Sequence, residues 1–359
     1  MKKHIAILAG DGIGPEVMAQ AQRVLNQIAL KFNHDFIYHE ALIGGAAYDQ
    51  FGEHFPDTTH HIAERADAIL FGSVGGPVAE QNLPKWNGCE AKSLLALRQA
   101  FQFNINIRPA ILYPSLTSIC PLKPEIIGDG INIVVFRELL GDLYFGSHLQ
   151  TILNGRRHAE DQALYNEDQI ASIAHAAFKS AKTRRKKVTS VDKANVLATS
   201  KLWRTVVTEV SKEYPEVALE HMLVDNCAMQ LILRPTQFDV ILSTNMFGDI
   251  LSDAAAVLPG SLGLMPSASL NSKGFGMFEP SGGSAQDIAG KNIANPIAQI
   301  LSAAMMLRHA FSMEIESKAI ETAVEEALKE GARTRDIASD AKIALSTSAL
   351  TDVILHYLL

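Results

Sequence analysis

The sequence predicts an α/β chain organised in two domains, and three observations lead there. Short apolar runs that read as buried strands alternate with longer amphipathic stretches that read as helices. Polar and glycine-rich segments gather directly after the strands, where open α/β sheets place their ligands. At 359 residues the chain is also too long for one small core.

The first strand is expected over residues 5–9, "IAILA", followed by Gly10, Gly12 and Gly14 and a helix over 16–30. A dinucleotide-binding turn needs G-x-G-x-x-G so that helix and strand can pack closely. Here the spacing is G-x-G-x-G, and Pro15 stands where a small helical residue would be needed. Glu40 falls late for the ribose-binding acid, and "ALIGGAAYDQFG" after it does not read as the start of a crossover helix. The loop therefore reads as a tight strand-to-helix turn with Pro15 at the helix start, and not as a Rossmann site.

Further along, "AILF" at 68–71 is a buried strand running into "GSVGGP", and 94–101 is helical. Strands follow at 131–136, 188–191 and 240–243, the last running into "TNMFGDILSDAAA". A helical pattern covers 170–181. Residues 260–280, dense in Gly, Ser and Pro, read as long loops, and two helices are expected over 296–307 and 315–330. No internal repeat or low-complexity segment is present.

Composition narrows the partners. A net charge of −7 argues against a nucleic-acid surface. The one basic run, "KTRRKK" at 182–187, sits where cations complement a helix C-terminus. Three widely spaced cysteines without CxxC suggest reduced thiols and a cytoplasmic protein rather than a disulfide or zinc framework. "MKKHIAILAGDG" reads as the first strand rather than a signal peptide, and no apolar run is long enough for a membrane partner.

Chemistry is expected first at Asp249 and Asp253. A helix beginning near residue 247 puts these i, i+4 carboxylates on one face. Their repulsion is relieved by a cation, and oxygen-only ligation suits Mg²⁺ or Mn²⁺. An acid complementing the helix dipole beside an unrelated surface acid fits the spacing equally well. Arg98, Arg108 and Arg137 each offer a planar fork to a carboxylate, Arg137 directly after a strand. Lys193 and Tyr144 are candidate base and acid. Taken singly, each of these is more often structural.

Together, "GDGIGPEV", "DKANVL", "VDNCAMQL", "NMFGDILSDAAAVLPGSLGLMPS" and "GGSAQDIAGKNIANP" resemble the isocitrate/isopropylmalate family of β-decarboxylating dehydrogenases. The resemblance runs over essentially the whole chain and is nearest to members acting on isopropylmalate. It implies an isocitrate/isopropylmalate dehydrogenase-like two-domain fold with a cleft and a non-Rossmann NAD site. Residues 1–103 with 260–359 would form the cofactor domain, and 104–259 the substrate and dimerisation domain, with an arm within 146–166.

The resemblance also implies roles. Arg98, Arg108 and Arg137 would hold the substrate carboxylates, with Asp225, Leu94 and Glu90 also at the substrate. Asp225, Asp249 and Asp253 would bind Mg²⁺ or Mn²⁺. Lys193 would help deprotonate the C2 hydroxyl, and Tyr144 would protonate the enolate after CO₂ leaves. In the implied homodimer, Lys193 and Asp225 would serve the partner's site. NAD would lie against Ile13, Gly76, Glu279, Gly283, Ser284, Ala285, Asp287, Ile288 and Asn295. Asp287 would accept from a ribose hydroxyl and repel a 2′-phosphate, favouring NAD over NADP. Whether a monovalent cation is also used stays open.

Two places depart from the family pattern. "RELLGDLYFG" replaces the usual "RELTGGIYFG", so Leu140 stands for a hydroxyl and Asp142 for a glycine. Asp142 would alter an anion site or else point to solvent. "CEAKSLLALR" carries Lys92–Ser93, and Lys92 suits a third carboxylate. By the same resemblance Leu94 and Leu95 would meet the substrate's side group, an apolar pocket suited to an isopropyl group, in which a carboxylate would lack a partner at a cost of about 2 kcal/mol or more. Isopropylmalate is therefore the expected substrate over D-malate, tartrate, isocitrate or homoisocitrate. A non-catalytic regulatory relative is the remaining alternative, and the presence of Lys193, Tyr144 and the three aspartates speaks against it.

Overall fold

The computed structural model describes all 359 residues. They divide into two compact units. The first comprises Met1–Phe101, Leu112–Pro121 and Pro259–Leu359, and the second Gln102–Ile111 and Leu122–Leu258. In chain order the strands are β1 (Lys2–Gly10), β2 (Asp35–Glu40), β3 (Ala68–Ser73), β4 (Ile105–Ile111), β5 (Asn132–Glu138) and β6 (His148–Leu153). Then come β7 (Arg156–Asp161), β8 (Lys187–Asp192), β9 (Ala218–Leu223), β10 (Val240–Ser243), β11 (Pro266–Leu270) and β12 (Gly276–Pro280).

In the first unit the strands run β2-β1-β3-β12-β11, parallel except where β11 meets β12. Ile5–Leu8 of β1 and Ala68–Phe71 of β3 are buried on both faces, which is why they read as unbroken apolar runs. The helix Gly14–Phe32 buries Val17, Met18, Ala21, Val24, Leu25 and Ile28. It packs on Ile297–His309, a helix buried on almost every side that also carries Glu314–Lys329. The second unit orders its strands β4-β5-β10-β8-β9, with only the β4–β5 pair antiparallel. Its helix Glu167–Lys182 opens on a capping box formed by Asn166 and Gln169. β6 and β7 make a separate antiparallel hairpin whose Leu149, Ile152 and Leu153 are exposed.

Several elements differ from the sequence expectation. Residues 260–280 are not long loops: they hold the β11–β12 hairpin, with Ser267, Ala268 and Ser269 all buried. The Ser267 amide meets Ser302 Oγ at 3.4 Å, so a helix approaches this strand closely and small residues replace the β-branched ones that announce a strand. "ALIGGAAYDQFG" does contain a helix, Gly45–Phe51, opened by Gly44 at φ 72°. The helix carrying Asp249 starts at Asn245, two residues before the expected point, because its first N–H groups find partners elsewhere in the unit. The turn before Arg98 begins earlier, as one wide turn over Ala91–Leu95 that continues into Ala96–Ala100. Arg137 lies inside β5 rather than after it. In the basic run, Arg184 pairs with the buried Asp239 at 2.8 Å and Arg185 donates to the Phe238 carbonyl, so it ties the unit together. No helix is long and apolar enough to cross a membrane.

Candidate functional site

In the first unit, the turn after β1 is shaped by neighbouring backbone. A Cβ on Gly10 (φ 71°) would stand 1.9 Å from the Ser73 carbonyl oxygen, and one on Gly12 (φ 60°) 2.0 Å from that of Ser284. The amides of Asp11 and Ile13 donate to those same carbonyls at 2.7 and 2.8 Å. The buried Asp11 carboxylate accepts from the amides of Gly45 (2.9 Å), Ala46 (2.8 Å) and Gly75 (3.1 Å). Burial raises its pKa against the pull of those three donors.

This turn walls a cavity of about 630 Å³ lined by Ile13, Gly283, Ala285, Asp287, Ile288 and Asn295. At Gly282 and Gly283 an added Cβ would meet nothing, so the wall there opens onto free space. Asn295 is held at both ends of its amide: Nδ2 donates to Asp336 at 3.0 Å and Oδ1 accepts from the Ile297 amide at 3.0 Å. Asp336, Arg335 and Gln299 also line the cavity and carried no recognisable signal in the sequence. Both polar atoms of the Gln299 amide are buried and unpartnered, which fits a site that takes a polar ligand. Three other expected cofactor residues stand apart from this wall. Gly76 lies under the Trp86 ring, where a Cβ would approach to 2.1 Å. Ser284 spends its carbonyl on the Ile13 amide, and Glu279 pairs with Arg98 at 3.0 Å.

That pair is almost fully buried, and Arg98 Nε remains without a partner. Leu94 is half-buried one turn earlier, and Glu90 is exposed.

In the second unit, β4 and β5 carry Arg108 and Arg137 on adjacent antiparallel strands, with Asn106 opposite Arg137. Arg108 donates through Nε to Asn106 (2.8 Å) and through Nη1 to Ser252 (2.9 Å) and Asp253 (3.1 Å). Arg137 donates through Nε and Nη2 to the Asn245 side-chain oxygen at 3.0 and 2.8 Å, and through Nη1 to Asp249. The Tyr144 hydroxyl donates to the other Asp249 oxygen at 2.7 Å, and its ring sits 5.4 Å from the Arg137 guanidinium carbon. Gly248 permits this: a Cβ there would stand 2.8 Å from the Arg137 side chain. Partial burial raises the Asp253 pKa, with Asp249 adding to the rise and Arg108 opposing it. Two carboxylates one helical turn apart, one of them reluctant to ionise, are a donor set that a divalent cation fits.

Lys193, just after β8, donates from Nζ to Asp225 on the helix Val224–Leu233. This contact lowers the Asp225 pKa. Within one chain Asp225 therefore faces Lys193, and it does not cluster with Asp249 and Asp253. Asp142 does not point to solvent: it is buried, at φ 68°, and accepts from the Met246 amide at 3.2 Å.

The family model described as isocitrate/isopropylmalate dehydrogenase matches residues 4–354. The chain belongs to that family. Among relatives of the isocitrate/isopropylmalate dehydrogenase family, it is 53% identical to the 3-isopropylmalate dehydrogenase of Colwellia psychrerythraea, with 98% of each chain covered. It is 54% identical to that of Thermotoga maritima, over 98% of this chain and 97% of the relative. Among solved structures, isocitrate dehydrogenase from Methylococcus capsulatus superposes with a TM-score of 0.88 at 33% identity, covering 99% of both chains. A β-decarboxylating dehydrogenase from Thermococcus kodakarensis in its apo form gives 0.79 at 34% identity, covering 99% of this chain and 96% of that one.

Proposed function

We propose that this chain is an NAD- and divalent-metal-dependent dehydrogenase that oxidises and decarboxylates 3-isopropylmalate to 4-methyl-2-oxopentanoate, a leucine precursor. The observation that carries the reading is the convergence of Arg108, Arg137 and Tyr144 on the Asp249–Asp253 pair. Relatives named 3-isopropylmalate dehydrogenase, 53% and 54% identical over nearly the full length, support the choice of substrate.

Arg98, Arg108 and Arg137 bind the two carboxylates, and Leu94 meets the isopropyl group. Lys193 takes the proton of the C2 hydroxyl as that carbon is oxidised. The C3–carboxylate bond then breaks, CO₂ leaves, and Tyr144 delivers a proton to C3. Asp249 and Asp253, joined by Asp225 from a partner subunit, would hold the cation. When bound, the dinucleotide accepts hydride and the cation supplies Lewis acidity. NAD is favoured by Asp287 on the cavity wall, whose charge opposes a 2′-phosphate.

A homodimer is supported by the apolar side chains exposed on two packed helices of the second unit. They are Met229, Ile232 and Leu233 on Val224–Leu233, and Ile250 on Asn245–Ala256. Its free cysteines accord with a cytoplasmic enzyme. NADH formation by the purified protein with Mn²⁺ tests the reading. It stands if kcat/KM is highest for 3-isopropylmalate, and falls if isocitrate or D-malate exceeds it or no NADH forms.

A further inference from the structure

β5 carries Arg137 toward the carboxylate pair, and strand alternation sends the next side chain, Glu138, to the opposite face. There Glu138 is fully buried. One of its oxygens accepts from the Leu140 amide at 2.9 Å and the other from the Gly141 amide at 2.7 Å. The Tyr165 hydroxyl donates to the same carboxylate. Tyr165 in turn accepts, at 2.8 Å, the N–H of Asn245, the first residue of the helix that bears Asp249. Its ring packs against Gly141, where a Cβ would stand 2.4 Å away.

The next N–H of that helix, from Met246, goes to Asp142. Asp142 is itself fixed, since it accepts from the Leu143 amide at 3.0 Å and donates its own amide to the Leu164 carbonyl at 2.9 Å. Two N–H groups that helix geometry leaves unpaired are therefore taken up by side chains of one buried assembly. The Asn245 side chain completes the circuit, donating to the Gly141 carbonyl at 3.1 Å while accepting from Arg137.

We propose that Glu138, Tyr165 and Asp142 form a buried clasp between the turn after β5 and the first turn of the Asp249 helix. The clasp sets Arg137 and Tyr144 in register with Asp249. These three are positioning residues, acting through the groups that touch substrate. A buried carboxylate with three oriented partners is costly to keep when an apolar side chain would fill the space. What it provides here is directional: two backbone amides and one helix start are fixed relative to one another. In its chemical consequence the inference rests on the proposed function, where displacing Tyr144 by about 1 Å costs on the order of 10²-fold in rate.

The test uses the full-length protein and two readouts. In Tyr165→Phe and Asp142→Gly, amide hydrogen exchange is measured without substrate. It should accelerate at least tenfold at residues 140–143 and 245–247 and stay unchanged in β8. With 3-isopropylmalate, NAD and Mn²⁺, kcat should fall about tenfold in Tyr165→Phe while KM for NAD holds. In the double variant the losses should be non-additive, because both residues secure one contact. Unchanged exchange in those segments overturns the clasp, and faster exchange with wild-type kcat overturns its positioning role. If the wild-type protein fails to oxidise 3-isopropylmalate, the proposed function falls, and the exchange data alone decide whether the clasp stands.

Discussion

Glu138 offers a prediction about stability that is separate from turnover. Burial is the dominant influence and drives its pKa from 4.5 to about 7, against the amides of Leu140 and Gly141 and the Tyr165 hydroxyl. Arg137, adjacent in sequence, lies on the other face of the strand and gives no relief. Between pH 4.5 and about 7 the folded chain therefore holds a proton that the unfolded chain has released. Stability from this group is fully present below the unfolded value and is lost as pH rises through the folded one. At 1.36 kcal/mol per unit, the gap corresponds to about 3 kcal/mol. Urea denaturation of the wild type and Glu138→Gln at intervals from pH 4.5 to 8 measures it. The wild type should lose most of that amount relative to the variant, which cannot titrate there. Parallel curves, or a wild type that gains on the variant as pH rises, would refute the reasoning.

Asp253→Asn should weaken Mn²⁺ binding by tenfold or more, as read by titration calorimetry. In the wild type the raised Asp253 pKa should make Mn²⁺ affinity begin to fall at a higher pH than an ordinary aspartate would. Asp287→Lys should move the ratio of kcat/KM for NAD over NADP at least tenfold toward NADP, because it reverses a charge on the cavity wall that also bears Arg335. Ile232→Glu, on the exposed apolar helix face, should give monomers in sedimentation velocity and abolish turnover, since Lys193 would no longer reach a partner's site.

What could be read in the sequence followed physical rules that act over short range. β1, β3, β5 and β10 are legible because strands covered on both faces need continuous apolar runs, whereas β8 is buried with Thr189 and Ser190 between its two valines. β11 was hidden because close helix packing selected Pro, Ser and Ala there. β2, half-exposed throughout, mixes polar and aromatic residues and gave no clean alternation. At the site, Arg108, Arg137, Tyr144, Asp249 and Asp253 stood out as motif residues, and the fold brings these five together. Glu138 and Tyr165 carry no sequence signal, since a residue that matters through burial and a distant hydroxyl has no local pattern. Asp142 stands out in the sequence as a departure from the family pattern that would alter an anion site or point to solvent. Its left-handed backbone and its bond to the Met246 amide are facts of tertiary structure. Gln299, Arg335 and Asp336 reach the cavity from segments far apart in the chain, where no spacing rule applies.

The contact between Gly12 and Ser284 has a bearing on how the molecule is made. The ribosome delivers the first turn early and the carbonyl that seals it near the end, with the whole second unit between them. At typical elongation rates the interval is on the order of tens of seconds. For that time β1 and β3 are out of the exit tunnel without β11, β12 or the helix Ile297–His309, so their apolar faces lie open. The second unit can complete its sheet first, which reverses the usual order of domain completion. The nascent first unit is then the part of the chain that needs shielding from aggregation, and chaperone dependence should map to residues 1–101 rather than to the inserted unit.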